Sequence, residues 1–248
     1  MSNFRDAATL LLVREAVRGI EVFMVERPGA ADFGGMHVFP GGKVDAADAS
    51  GETLCVAMND SLASEKLGIP RGGIAFWITA IRESFEEAGV LLAYSGERLV
   101  DLSDAARRDR FADHRAGIHR GDLDMVELCR REQLRLATDR LFYFSHWITP
   151  QGPPRRYDTR FFLAHMPENQ EVAHHTDELE DGAWVRPADA LDHHTAGRWR
   201  MIFPTLTTLR TLTGYDRVAT LESDVRDWKH LPEVTAERQR QGMQPPAR

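Results

Sequence analysis

Two apolar runs open the chain, ATLLLV (Ala8 to Val13) and IEVFMVER (Ile20 to Arg27). Each has strand length and strand composition, and EAVRG between them predicts a hairpin. MHVFPGG (Met36 to Gly42) predicts a short strand ending in a turn, because Pro40, Gly41 and Gly42 discourage regular continuation. From Glu52 to Gly68 apolar residues recur at mixed helical spacing, and Gly68, Pro70, Gly72 and Gly73 then break the pattern. Ile74 to Leu92 predicts a helix with Gly89 near its C-terminus, where glycine serves as a cap. Residues 101–138 are polar and rich in Arg and Asp, with helices predicted at about 104–116 and 123–136. Arg140 to Ile148, Thr159 to Met166 and Gly182 to Pro187 read as further strands. PADALDHH and PTLTTLRTLTG (Pro204 to Gly214) read as helices, the first with Pro187 near its first turn. The polar tail from about Gln239 predicts a frayed end.

Strands, an acidic helix, a polar insert, more strands and a closing helix predict an α/β fold with a mixed sheet between helices. No Gly/Ser- or Pro-rich linker divides the 248 residues, so one domain is expected, 1–248. Its insertions fall at about 49–73 and 101–138, and the second is expected to act as a helical cap.

The apolar share, 42%, and the charged share, 28%, are ordinary for a globular chain. The formal net charge of −7 argues against nucleic acid or an anionic membrane as partner, since both need a basic face. Cys55 and Cys129 have neither metal-ligand spacing nor a disulfide framework. Two free thiols, a start too short in apolar length to span a membrane, and the ending QPPAR, which is no receptor-read address, set the expectation of a cytoplasmic protein.

The chemistry concentrates in AIRESFEEAGVLL, Ala80 to Leu92. Glu83, Glu86 and Glu87 lie at i, i+3 and i+4 and share a helix face, where like charges repel. Most charge clusters are solvated faces. This helix is otherwise apolar, and a glycine turn upstream brings bare backbone near the acids. A divalent cation explains the crowding: Mg²⁺ takes oxygen ligands, bridges phosphate oxygens and lowers the pKa of an attacking water. A spare carboxylate can take that water's proton. The reaction implied is metal-assisted hydrolysis of a phosphoanhydride.

Arg82 to Val90 resembles the second half of the Nudix box, which runs Gly, five residues, Glu, seven residues, Arg-Glu-aliphatic-x-Glu-Glu-x-Gly-aliphatic. FPGGKVDAAD resembles the first half. Gly42 stands for the box glycine and Asp48 for the first box glutamate. Between Asp48 and Arg82 lie 33 residues rather than seven, an insertion of 26. Ser84 stands where an aliphatic residue is expected. The stretches VERPGAADFGGMHVFPGGKVDAAD, AIRESFEEAGVLL, WITPQGPPRRYDTRFFLA and HHTDELEDGAWVRPADAL resemble the branch of the peroxisomal coenzyme A diphosphatases, the nucleoside diphosphate-linked moiety X motif 19 type, with its bacterial relatives. The resemblance runs from about residue 5 to 213.

That resemblance implies a Nudix α/β/α sandwich with mixed sheet plus helical insertions. It implies Mg²⁺ or Mn²⁺ held by Glu86 and Glu87, with Glu83 as further ligand or base, the Gly42 carbonyl in the shell, and Arg82 bracing the acids. Glu178 takes the place of the extra carboxylate many Nudix enzymes keep. Arg27, Arg156, Tyr157 and Arg160 are candidates for gripping phosphate and stacking on a base. His174, His175, His193 and His194 complete no zinc pattern. Phe33, Trp77, Trp147 and Trp184 read as core.

The implied substrate is a nucleoside diphosphate linked to another moiety, first coenzyme A or its esters. ADP-ribose, NADH and dinucleoside polyphosphates are the alternatives. A non-catalytic ligand-binding module is a further alternative, disfavoured because all three acids are present. Many Nudix enzymes dimerise, so a homodimer lies within the resemblance, although no apolar stripe marks an interface.

Overall fold

The computed structural model describes residues 4–27, 34–152, 155–172, 181–227 and 229. Strand β1 (Phe4–Ala16) is its axis. It pairs antiparallel with β2 (Gly19–Glu26) through the expected hairpin, Val13 opposite Val22. The N-terminal half of the same edge pairs with β4 (Gly41–Lys43), while β3 (His37–Val38) pairs with β2. Beyond the insertions, β8 (Phe142–Ile148) and β9 (Arg156–His165) form an antiparallel pair, and β9 runs parallel to β1 along nearly its whole length. With β10 (Asp181–Val185) the main sheet has the order β10-β2-β1-β9-β8. It is the mixed sheet expected.

Both faces of the sheet are covered, which explains why β1 reads as a continuous apolar run rather than an alternation. Ala8, Leu10 and Phe162 face helix α2 (Gly73–Ala88). Leu11, Val13, Val22, Met24, Phe161 and Leu163 face α5 (Pro187–Thr195), α6 (Phe203–Leu212) and α7 (Val218–Arg226). Helix, sheet and helices give three layers.

The insertions build one wall on α2. A 3₁₀ turn at Asp48–Leu54 leads to α1 (Asp60–Leu67), capped by the Asn59 side chain and ended by left-handed Gly68. After α2 come β5 (Ala93–Ser95), β6 (Arg98–Leu99), α3 (Ala105–His119), α4 (Met125–Arg131) and β7 (Leu134–Leu136). The three short strands form a small sheet, β6-β5-β7. Phe111 of α3 meets Phe85 of α2 edge-on, and Phe111, Ile118, Met125, Leu128 and Cys129 join the core beside α2. The two insertions also bind each other: Val56 N–H donates to Leu136 O (3.0 Å), and Thr138 Oγ1 donates to Val56 O (2.7 Å).

Four local expectations change. Gly41 and Gly42 do not end a strand in a turn; they form β4, because β1 offers them an unpaired edge. Helix α2 stops at Ala88, not Leu92, since Gly89 turns left-handed (φ 70°) and its N–H caps Phe85 O. The helix expected to reach 136 ends at Arg131, after which Gln133 (φ 53°) swings Leu134 to Leu136 into β7. Helix α7 was not expected, although Val218, Leu221 and Val225, all buried, carry its periodicity.

Candidate active site

Helix α2 lies across the α2-facing side of β1 and β4, and small residues set how closely it approaches. Ala8 and Gly42 are opposite one another in the sheet. A β-carbon on Gly42 would lie 2.3 Å from Glu83 Oε1, so the carboxylate occupies the space that the absent side chain leaves. Gly41 N–H donates to Glu87 Oε2 at 2.8 Å. The bare backbone of β4 thus receives two of the three acids directly.

Glu83 and Glu87 are buried, at 8% and 2% exposure, and Glu86 is partly open. Two guanidinium groups oppose them. Arg82 Nη1 donates to Glu83 Oε1 (2.8 Å) and Glu86 Oε1 (2.9 Å). Its other nitrogens reach Asp48, with Nη2 to Oδ2 at 3.1 Å, and the Lys43 carbonyl at 2.8 Å. Arg27 Nη2 donates to Gly41 O and stands 3.5 Å from Glu87 Oε1. Arg82 therefore braces Glu83, Glu86 and Asp48 together and ties them to the β4 backbone. Burial alone would lower its pKa, but the charges of Glu83 and Asp48 hold it above the ordinary value.

Four carboxylates share two guanidiniums, so the cluster carries an excess of negative charge. Glu83 registers it: burial first, then Glu87, raises its pKa from 4.5 to about 8, against the lowering effect of Arg82. A cation would relieve this strain, and the hard carboxylate oxygens suit Mg²⁺ or Mn²⁺. Among the described residues no three His, Cys, Asp or Glu side chains already converge on one metal position. The acids are turned instead toward Arg82, Arg27 and the Gly41 N–H.

The structure gathers Gly42, Arg82, Glu83, Glu86, Glu87 and Arg27, but not the other candidates. Arg160 is 4% exposed, lies 5.9 Å from the Phe76 ring and pairs with Asp158 at 3.6 Å. It shares a row with Gly42, with Ala8 between them, so its Cα stands about 10 Å from that of Gly42 at ordinary strand spacing. Helix α2 covers its face of the sheet and shuts it in, away from the position a phosphate would need. Arg156 lies over the Phe4 ring (4.2 Å) and donates to Thr149 O (3.0 Å), and Tyr157 N–H donates to Thr149 Oγ1 (3.0 Å). Both sit where β9 begins, opposite Phe4 and Arg5. Glu178, His174, His175 and Phe33 lie outside the described residues. His193 and His194 end α5 and bind Arg198 and the Trp199 carbonyl. Trp77 and Trp147 are core, while Trp184 is half-buried between Phe23 and Arg14.

Sequence reasoning placed Asp48 only as the stand-in for the first box glutamate. It is 2% exposed and anchors Arg82, with Thr79 Oγ1 donating to it at 2.7 Å. The available signal was the spacing of Thr79, three residues before Arg82 and so on the same helix face.

A mixed-sheet sandwich with an acidic helix seated on a glycine strand is the architecture of a Nudix protein. The crystal structure of a NUDIX hydrolase from Alicyclobacillus acidocaldarius superposes with a TM-score of 0.71 at 26% identity, over 91% of this chain and 96% of that one. The family model of the NUDT19 Nudix domain matches residues 56–212, and the chain belongs to that family. Curated relatives include the putative nudix hydrolase 7 of Caenorhabditis elegans, 29% identical over 230 residues, covering 92% of this chain and 63% of the relative. The acyl-coenzyme A diphosphatase NUDT19 of Xenopus laevis is 28% identical over 227 residues, covering 78% of this chain and 56% of the relative. The chain thus spans less than two thirds of the length of these relatives.

Proposed function

We propose that this protein hydrolyses the phosphoanhydride bond of a nucleoside diphosphate linked to a second moiety, with coenzyme A or its acyl esters as the first substrate class. The observation that carries the reading is the packing of Glu83 and Glu87 against the bare β4 backbone, with Arg82 and Arg27 beside them. Membership of the NUDT19 family and the acyl-coenzyme A diphosphatase name of the Xenopus relative support the substrate class.

Glu86 and Glu87, with Glu83 and the Gly42 carbonyl, would hold Mg²⁺ or Mn²⁺. When bound, the ion supplies charge neutralisation of the diphosphate and acidifies a water. The chain's own residues do the rest. Arg82 fixes Glu83 and Glu86 in place, which limits the reorganisation needed at the moment of reaction. Arg27, beside Glu87, offers a guanidinium to a phosphate oxygen. Where it is not itself a ligand, Glu83, ionised once the ion's charge offsets that of Glu86 and Glu87, would take the proton of the attacking water. Glu178 stands in this reading as an additional carboxylate. Arg160, enclosed under Phe76, is not part of it. Such a substrate calls for neither nucleic acid nor membrane, and among the described residues no helix is long and apolar enough to cross one. Cys55 and Cys129 are free thiols, which suits a cytoplasmic enzyme.

The test is hydrolysis of a panel: coenzyme A, acetyl-coenzyme A, ADP-ribose, NADH and diadenosine polyphosphates, each with Mg²⁺ and with Mn²⁺. Metal-dependent release of 3′,5′-ADP and a phosphopantetheine compound is the expected result, and Glu86→Gln should abolish it while the protein stays folded. Cleavage confined to ADP-ribose, NADH or the diadenosine compounds would move the substrate class. Binding of these compounds without turnover would make the protein a ligand-binding module.

A further inference from the structure

The box position that carries glutamate in the Nudix pattern carries Asp48 here, one methylene shorter. The carboxylate is nonetheless buried and well supplied with donors. Oδ2 accepts from Thr79 Oγ1 (2.7 Å), Asp45 N–H (3.0 Å) and Arg82 Nη2 (3.1 Å), and Oδ1 accepts from Arg82 Nε (3.2 Å). Thr79 is completely buried. Its hydroxyl has one proton and two acceptors in range, Asp48 Oδ2 and the Ala75 carbonyl at 2.8 Å. The ionised carboxylate is the stronger acceptor, so the proton is directed to Asp48.

Contact at 2.7 Å also leaves no room for a longer acid. A glutamate at 48 would push its carboxylate about 1.5 Å further, into the Thr79 hydroxyl or the Arg82 guanidinium. A hydroxyl at 79 and a short acid at 48 are therefore a matched pair. The geometry points to Thr79 as a positioning residue: its hydroxyl fixes Asp48, Asp48 fixes Arg82, and Arg82 fixes Glu83 and Glu86. The effect on turnover rests on the hydrolase reading above. The matching of the two side chains does not.

The experiment is a double-mutant cycle on the full chain with Thr79→Ala, Asp48→Glu and the pair combined, together with Thr79→Val and Thr79→Ser. Thr79→Val should lower kcat about tenfold while KM stays within about twofold, the loss of one hydrogen bond to a charged group. Thr79→Ser keeps the hydroxyl and should hold kcat within about twofold of the parent. Isothermal titration should show weaker Mn²⁺ binding in Thr79→Val than in Thr79→Ser. Melting temperatures of the cycle, taken in EDTA, should be non-additive, with Asp48→Glu better tolerated when residue 79 is alanine. Equal kcat and equal Mn²⁺ affinity in the valine and serine variants would overturn the positioning role. Additive melting shifts would overturn the matching. If the parent hydrolyses nothing, the hydrolase reading fails alone, because the metal-free cycle and the Mn²⁺ titration still decide this inference.

Discussion

Gly41 and Gly42 are adjacent, yet each excludes a side chain for a different reason. A β-carbon at 41 would meet the β1 backbone, Ala8 O at 2.5 Å and Thr9 Cα at 2.8 Å. That backbone is held in the sheet on both edges and cannot give way. Gly41→Ala is therefore expected to cost about 2–3 kcal/mol, in the range for overpacked cores, as a drop in denaturant midpoint. At 42 the obstacle is the Glu83 carboxylate, the end of a side chain that can swing aside. Gly42→Ala should lose about 1 kcal/mol or less, yet lose at least about tenfold in kcat, because the displaced carboxylate is the one proposed to accept the proton. Wild-type turnover in Gly42→Ala would separate the seat of Glu83 from catalysis. At this scale the sequence was legible where spacing within one helix decides the matter: the shared face of Glu83, Glu86 and Glu87 follows from i, i+3, i+4 alone. The Asp48–Arg82 pair spans 34 positions, and no local rule brings those residues together.

Among the elements, α3 tests what the insertions are for. Phe111 is 1% exposed and packs on Phe85, in the turn of α2 that carries the acids. An insert serving only as a lid would lose little from its removal. Phe111→Ala should instead cost about 3–5 kcal/mol in global stability, as for other buried aromatic truncations. A loss under about 1 kcal/mol would return 101–138 to the status of a peripheral cap. Excision of the segment would strip Phe111, Ile118, Met125 and Leu128 from the shared core. Any part of the segment in substrate choice has to be probed by exposed substitutions that leave those residues in place. The existence of two helices in 101–138 was legible from composition and spacing. Their role as a wall was not, because Phe111 and Ile118 among arginines and aspartates read as a thin apolar stripe until α2 is laid against them.

For the whole molecule, the buried acids couple folding to pH and metal. The pKa of Glu83 is raised from 4.5 to about 8 by burial and Glu87. Between those values the native chain holds a proton that the unfolded chain releases, so stability from this group is fullest below about pH 4.5 and declines as pH rises to about 8. In EDTA, Glu83→Gln should melt close to the parent near pH 5 and above it beyond pH 8, since the amide never acquires the buried charge. Added Mg²⁺ or Mn²⁺ should raise the melting temperature of the parent most at the alkaline end, where the ligand carboxylates are ionised. A melting difference between parent and variant that stays constant from pH 5 to pH 9 would refute the assignment.

Periodicity, composition and the spacing of a few charged residues determined the layered α/β class, the single domain expected, the acidic helix and the family resemblance, because each is a property of short stretches of chain. The tertiary structure alone decided that Gly41 and Gly42 form a strand, since that depends on an open edge of β1. It decided that Arg160 is enclosed, since that depends on which helix covers its face. It also decided that Thr79, Asp48 and Arg82 act together, since the bond joining them closes a loop of more than thirty residues whose ends are brought together only by the packing of α2 on the sheet.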